Sequence, residues 1–169
     1  AVEEVGEDGY VIGVDLLSTS PVEGATIIIG DITNPKTVEQ INQELEGYYL
    51  NCVISDISPR LTGRYDTDQA ISLELSTMVL DAAMPILNPG GSFVTKIFQG
   101  VGIEGLIEAA KMRFSSVQRF APTASRSSSS ETYLVCRNKL PKVRKEAEGR
   151  TAYEHLKDHL KKLDIVVDY

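Results

Sequence analysis

Residues 50–59 read Leu-Asn-Cys-Val-Ile-Ser-Asp-Ile-Ser-Pro, an apolar run that ends at Asp56 and leads into a loop rich in proline, glycine and arginine. Short apolar, β-branched runs bounded by turn residues are typical of strands that are buried on both faces of a parallel sheet. In open α/β sheets, ligands bind beyond the carboxyl ends of the strands. The stretch therefore predicts a parallel strand that ends at a ligand site.

Two similar runs precede this strand. Residues 10–15 (Tyr-Val-Ile-Gly-Val-Asp) and 25–30 (Ala-Thr-Ile-Ile-Ile-Gly) are short, β-rich and end in an acid or a glycine. Between the second run and residue 50, Asn34 followed by Pro35 predicts a helix N-cap and first turn. We expect two parallel strands joined to the next strand by a crossover helix.

Downstream of residue 59 the alternation of helices and strands continues. The predicted elements are a long amphipathic helix over 68–87 stopped by 88–91, a strand over 92–97, a helix over 103–114, and strands over 117–120 and 131–136. This order predicts a three-layer α/β fold with a mostly parallel sheet and a C-terminal antiparallel hairpin. We expect a main domain over 1–138 and a charged helical extension over 139–169.

Composition limits the class of protein. The 169 residues are 42% hydrophobic, which suits one globular domain. The formal charge of -7 and the pI of about 4.9 give no global positive field for nucleic acid, so RNA binding would need a local basic patch. No apolar run approaches the roughly 20 residues that span a bilayer, and we expect a soluble, cytoplasmic, monomeric protein.

The two cysteines, Cys52 and Cys136, both lie in apolar runs. Free cysteines in such runs are among the most buried side chains. We expect two buried free thiols and a reducing compartment.

Three polar residues at strand ends are candidates for chemistry. Asp56 ends the strand quoted above, and Lys96 lies in the apolar run Phe-Val-Thr-Lys-Ile-Phe, where a lysine must be paired or have its pKa lowered. Glu131 opens the final strand, and an ordinary exposed strand end is the alternative for it. Asp15, at the end of the first strand, could accept hydrogen bonds from ribose hydroxyls or simply cap a turn.

Two further patterns are weak evidence for other classes of protein, namely a short-chain dehydrogenase and a metal-binding protein. Tyr153 and Lys157 have the spacing of the short-chain dehydrogenase pair, but they lie in the charged tail rather than in the core. His155 and His159 are four residues apart on a predicted helix without the intervening glutamate of a zinc protease motif. We interpret both histidines as part of a solvated helix face.

The motifs taken together resemble one family. They are Val-Asp15-Leu-Leu, Gly-Asp31-Ile-Thr, Ser-Asp56-Ile-Ser-Pro, Asn-Pro-Gly-Gly91, Phe-Val-Thr-Lys96-Ile-Phe-Gln-Gly, Ala-Ser-Arg126 and Ser-Glu131-Thr-Tyr. In order and spacing they are similar to the FtsJ/RrmJ ribose methyltransferases over residues 10–136. The resemblance implies a Rossmann-like methyltransferase domain over 1–138.

The resemblance also implies the site and its ligands. Asp15, Asp31, Ile32 and Asp56 would contact S-adenosylmethionine, with Ile32 packing on the adenine ring. Asp56, Lys96 and Glu131 would belong to a catalytic Lys-Asp-Lys-Glu tetrad without a metal. Arg126, Arg60 and Arg64 would contact substrate RNA, with Arg119, Lys139 and Lys142 as further available cations.

The implied reaction is 2'-O-ribose methylation of RNA, with a uridine of large-subunit rRNA, free or in a ribosomal particle, as the first candidate substrate. A tRNA substrate and a non-catalytic RNA-binding remnant stay open as alternatives. The family begins with a lysine-bearing helix, a central strand and a glycine-rich cofactor loop, and the given sequence starts after them. We therefore expect a truncated chain, or one whose missing strand is supplied from elsewhere, that lacks the first tetrad lysine and shows weak or no cofactor binding.

Overall fold

The computed structural model describes residues 1–121 and 130–164. Within them, the helices are α1 (Val2–Val5), α2 (Pro35–Leu45), α3 (Tyr65–Ala83), α4 (Ile103–Lys111) and α5 (Ala152–Lys162). The strands are β1 (Val11–Asp15), β2 (Ala25–Ile29), β3 (Leu50–Ser55), β4 (Leu87–Phe98), β5 (Phe114–Phe120) and β6 (Glu131–Lys139). The chain forms two compact units, Ala1–Tyr48 and Tyr49–Tyr169.

The first unit is a β-α arrangement on a parallel strand pair. β1 and β2 run parallel from Val11 opposite Ala25 to Asp15 opposite Ile29, as predicted. The predicted cap of α2 is confirmed, because the side chain of Asn34 accepts a hydrogen bond from the Lys36 amide at 3.0 Å. The crossover helix therefore begins where the sequence indicates.

The second unit contains a four-stranded mixed sheet in the order β3-β4-β6-β5. β3 and β4 are parallel, whereas β6 runs antiparallel to both β4 and β5. The predicted C-terminal antiparallel pair is thus confirmed, and β6 lies between β4 and β5 rather than at the edge.

One face of this sheet forms the core of the second unit. Alternate residues Phe93 and Ile97 of β4 and Leu134 and Cys136 of β6 are fully buried. The rings of Phe93 and Phe114 stack with centroids 6.5 Å apart. α3 packs along β4 and α4 along β5. The opposite face carries the intervening residues, including Lys96, which are only half-buried.

The junction between α3 and β4 differs from the sequence prediction. α3 ends at Ala83 and β4 already begins at Leu87, so residues 88–91 are not the helix stop that we expected. The reason is tertiary pairing, since the carbonyl oxygen of Ile86 accepts the Leu50 amide at 2.8 Å. Leu50 pairs with Leu87 and Cys52 with Ser92, so the Asn-Pro-Gly-Gly segment forms an irregularity in the strand.

The prediction of two buried thiols is wrong for Cys52. Cys136 is buried, but Cys52 is exposed. Within the described residues β3 is an edge strand of the four-stranded sheet, and Cys52 lies on its less covered face. An apolar run therefore indicated a strand correctly but not the burial of each residue in it.

The C-terminal helix is formed as predicted. α5 begins with a capping box in which Thr151 accepts from the Glu154 amide and Glu154 accepts from the Thr151 amide. It packs on α3 and α4 inside the second unit. A domain boundary between residues 138 and 139 stays a prediction. Among the described helices, none is long and apolar enough to cross a membrane.

Candidate active site

Lys96 is the centre of a charged cluster at the carboxyl end of β4. Its side chain is 14% exposed and projects from the face of β4 opposite to Thr95 and Ile97, which point into the core. Ser76 of α3 donates a hydrogen bond to the carbonyl oxygen of Lys96 at 3.1 Å, which fixes the backbone there. The backbone that carries Lys96 is thus fixed within a strand, which positions the side chain for a role in a functional site.

Two carboxylates meet the ammonium group. The Nζ atom of Lys96 lies 2.9 Å from Oδ1 of Asp56 and 3.7 Å from Oε1 of Glu131. Strand register produces this arrangement, since Thr95 lies opposite Ser55, the residue before Asp56, and Glu131 lies opposite Phe98. The structure therefore brings together the three residues singled out from the sequence.

The cluster keeps Lys96 positively charged. Partial burial is the largest single influence and by itself lowers the pKa of the lysine. The hydrogen bond and charge of Asp56, followed by the charge of Glu131 and a smaller electrostatic effect of Tyr133, together outweigh it, so the pKa of Lys96 is raised above its ordinary 10.5. At neutral pH the group is an ammonium and not a free amine.

The loop after β3 is shaped by Asp68, a residue that the sequence analysis missed. The buried Asp68 carboxylate accepts hydrogen bonds from the Thr62 amide at 2.8 Å, the Thr62 hydroxyl at 2.7 Å and the Gly63 amide at 3.2 Å. The one signal in the sequence was the position of Asp68 near the start of an amphipathic helix, where a carboxylate can accept hydrogen bonds from the preceding loop. Arg60 and Arg64 lie on this loop, are exposed, and make no ion pair with a described residue.

The β4–α4 loop, residues 99–102, is fixed by α3 and by the segment before β6. The Tyr65 hydroxyl donates to the carbonyl oxygen of Gln99, and the Gln69 amide group donates to the Val101 carbonyl at 3.2 Å. The Gln99 amide donates to the Ser130 carbonyl at 2.8 Å. These long-range contacts left no pattern in the sequence, because each joins residues from different elements.

In the first unit, the two predicted cofactor carboxylates end neighbouring strands. Asp15 is the last residue of β1, and its Oδ1 accepts the Leu17 amide at 2.9 Å. Asp31 follows β2, and its Oδ1 accepts the amide and hydroxyl of Thr33 at 2.9 and 2.7 Å. Both carboxylates are exposed and Ile32 is half-buried. Each acid therefore shapes a local turn through Oδ1.

Other predicted cations differ in their surroundings. Lys139 donates to the carbonyl oxygens of Met84 and Leu87 at 2.7 and 2.6 Å, so its ammonium group lies at the junction of α3 and β4. Arg119 lies 3.7 Å from Glu104. Arg126 lies outside the described residues.

The interpretation of His155 and His159 as a solvated face is wrong. Their side chains are 21% and 18% exposed, because this face of α5 packs against α4. His155 Nε2 and His159 Nδ1 lie 3.4 and 3.3 Å from the same Glu108 oxygen. Among the described residues there is no group of three or more side chains suited to a metal ion.

Solved structures place this architecture among the Rossmann-like methyltransferases. A ribosomal RNA methyltransferase from Plasmodium falciparum aligns with a TM-score of 0.70 and 23% identity, covering 78% of this chain and 73% of that one. Human methyltransferase-like protein 13 in complex with SAH aligns with a TM-score of 0.56 and 15% identity, over 96% and 73% of the two chains. The predicted fold class is confirmed.

Sequence comparison gives the family. The profile of the FtsJ-like methyltransferases matches residues 1–139, and the chain belongs to this family. Ribosomal RNA large subunit methyltransferase E of Methanothrix thermoacetophila is 46% identical over 127 residues, which are 75% of this chain and 49% of that protein. The protein of the same name from Francisella philomiragia is 39% identical over 134 residues, 79% and 65% of the two. The matched part of the chain thus spans 49% and 65% of the length of these two relatives.

Proposed function

We propose that this chain carries out S-adenosylmethionine-dependent 2'-O-methylation of an RNA ribose, with a uridine of large-subunit rRNA as the substrate. The observation that carries the proposal is the Lys96 ammonium, held 2.9 Å from Asp56 and 3.7 Å from Glu131. Support for the substrate comes from relatives named ribosomal RNA large subunit methyltransferase E. The proposed setting is the cytoplasm, and the proposed working form is a monomer.

The proposed cofactor residues have the right chemistry for an adenosine. Exposed carboxylates at the ends of parallel strands are suited to hydrogen-bond ribose hydroxyls or an exocyclic amine. We assign the ribose to Asp15 and the adenine to Asp31 and Ile32, with Asp56 as a further contact. When bound, S-adenosylmethionine supplies an electrophilic methyl group on a sulfonium.

Lys96 orients and activates the ribose 2'-hydroxyl in this proposal. Because its raised pKa keeps it charged, it donates a hydrogen bond to the 2'-oxygen and stabilises negative charge that develops as the hydroxyl loses its proton. Asp56 and Glu131 hold the ammonium in place. Asp56 is 76% exposed, so its carboxylate is accessible to accept the proton. The protein's contribution is therefore orientation of the hydroxyl, electrostatic stabilisation and acceptance of its proton.

Arg60, Arg64 and Arg126 are the proposed phosphate contacts. Arg60 and Arg64 are exposed on the loop that follows Asp56, where a local cationic surface would offset the net charge of -7. Phosphate contacts of this kind position RNA without reading its bases.

The test is methyl transfer to defined RNAs. The chain is incubated with S-adenosylmethionine and either a large-subunit rRNA transcript or tRNA, and the nucleosides are analysed by mass spectrometry. We expect 2'-O-methyluridine from the rRNA, and a loss of about 10²-fold or more with Lys96→Ala. The matched control Lys161→Ala removes a lysine that is 78% exposed on α5 and should retain activity.

Three results would contradict parts of the proposal. Methylation of a base instead of a ribose would refute the proposed 2'-O-methylation. Preferential methylation of tRNA would mean that tRNA, rather than large-subunit rRNA, is the substrate. RNA binding without methyl transfer, in the presence of saturating cofactor, would favour the non-catalytic remnant.

A further inference from the structure

α5 follows the part of the chain that matches the family profile, which ends at residue 139. It is nevertheless integrated into the second unit. The Asp81 carboxylate of α3 accepts the amides of Ala152 and Tyr153 at 2.7 and 2.9 Å, which fixes the first turn of α5. Leu156 is 2% exposed. The first turn of this helix is therefore anchored to α3, and its apolar face is buried in the second unit.

The last turn of α5 lies directly against the β4–α4 loop. Gly102 has φ of 87°, and a Cβ atom built on it would be 2.5 Å from Cδ2 of Leu160 and 3.1 Å from Cδ2 of Leu73. Contacts this short mean that the Leu160 side chain packs on the backbone of the loop itself. Leu160 and Leu73 thus form an apolar wall on one side of Gly102.

The same loop connects to the charged cluster through the backbone. Gln99 lies three residues after Lys96, and its amide donates to the carbonyl oxygen of Ser130 at 2.8 Å. Ser130 immediately precedes Glu131. A shift of the β4–α4 loop would therefore move the ends of β4 and β6, which carry Lys96 and Glu131.

The loop cannot maintain this conformation by its own sequence. Two of its four residues, Gly100 and Gly102, are glycines, which lose more conformational freedom on ordering than any other residue. Its order depends on groups outside it, namely the Ser130 carbonyl, Tyr65, Gln69 and Leu73 of α3, and Leu160 of α5.

We infer that Leu160 is a positioning residue for the Lys96–Glu131 pair and acts on it through the β4–α4 loop. Through this one side chain α5 supports the active site, although it makes no contact with the reacting groups. The inference rests on the proposed function for its catalytic consequence, but its structural consequence is measurable without any substrate.

The experiment compares two leucines of the same helix. Leu160→Ala removes the leucine side chain that packs on Gly102. Leu156→Ala removes a more buried leucine one turn earlier, which packs on Gly105 of α4. Both variants are made in the full chain. Amide hydrogen exchange is measured by NMR under conditions where global unfolding does not contribute, together with the signals of the Lys96 side chain.

We expect both variants to lower the melting temperature, with Leu156→Ala lowering it at least as much. Only Leu160→Ala should accelerate exchange of the Gln99 amide, by about tenfold, and shift the Lys96 signals. Leu160→Met, which retains an apolar side chain of similar volume, should restore both readouts. In the methyl-transfer assay, Leu160→Ala should lower kcat several-fold with little change in KM.

Unchanged Gln99 exchange and Lys96 signals in Leu160→Ala would overturn the inference, as would equal changes in Leu156→Ala. Full kcat in Leu160→Ala would overturn it as well. If the unmodified chain transfers no methyl group while the NMR readouts respond as expected, the proposed function fails and the positioning by Leu160 stands.

Discussion

Lys96 and Asp56 form a close ion pair, with 2.9 Å between Nζ and Oδ1, at the carboxyl ends of two adjacent parallel strands. The parallel register of β3 and β4 places them side by side, since Ser55 is opposite Thr95. The second carboxylate, Glu131, is farther from the ammonium at 3.7 Å. Because of this difference in distance, we expect Asp56 and Glu131 to affect the pKa of Lys96 to different extents.

Asp56→Asn should lower the pKa of Lys96 more than Glu131→Gln does. Asp56 raises this pKa by both a hydrogen bond and its charge, whereas the effect of Glu131 is purely coulombic. Removing either influence leaves the opposing effect of partial burial, which favours the neutral amine. NMR titration of the Lys96 side chain measures the change. An equal or larger fall in Glu131→Gln would contradict the geometry.

In the pH dependence of methyl transfer, the midpoint of any loss of activity from Lys96 deprotonation should lie above pH 10.5. The sign follows from the raised pKa, because a group whose pKa is raised stays charged beyond its ordinary value. A rate that instead increases with pH toward that value would mean that the neutral amine of Lys96 acts as the base. In Asp56→Asn any alkaline loss should begin at lower pH.

Asp68→Asn should weaken the acid dependence of stability. The amide and hydroxyl of Thr62 lower the pKa of Asp68 most, and the Gly63 amide adds to this, against an opposing effect of burial. Because the folded pKa is below 3.8, Asp68 contributes stability above that pH, and the contribution is lost as the pH falls through the folded pKa. Urea midpoints between pH 6 and 3 should therefore fall less in Asp68→Asn than in the unmodified chain. Asp66→Asn, at an exposed position in the same helical turn, is the matched control.

Asp81→Ala should destabilise the second unit by about 1–3 kcal/mol, because it leaves two amides at the start of α5 without their acceptor. Urea unfolding measures the loss. Asp158→Ala offers a control on α5 itself, since its ion pairs with Arg150 and Lys161 are exposed and contribute little. Similar losses in the two variants would contradict the anchoring role of Asp81.

The two cysteines should differ in reactivity. Burial raises the pKa of the Cys136 thiol to about 12, and this side chain is fully covered. Burial also raises the pKa of Cys52, but this residue is exposed on β3. A thiol reagent should modify one cysteine in the native chain and both in urea. Protection of both thiols in the native chain would mean that Cys52 is covered in solution.

The local signals in the sequence predicted most elements correctly. The Asn34-Pro35 cap, the apolar runs of β1, β2 and β3, and the helix over α5 all have short-range causes, so they could be identified without a structure. The end of α3 could not, because the pairing of Ile86 with Leu50 decides it. The histidines of α5 were misassigned for the same reason, since their burial comes from α4.

Local patterns along the chain were enough to predict the alternating α/β order, the family, and Asp56, Lys96 and Glu131 as candidate residues for chemistry. The three-dimensional fold was needed to show that strand register brings these three charges together and that the two carboxylates, opposing the effect of burial, keep Lys96 protonated. It also decided that α5 supports the loop after Lys96. The physical reason is that pKa values and loop order depend on distances and burial between segments remote in the chain, which no local pattern records.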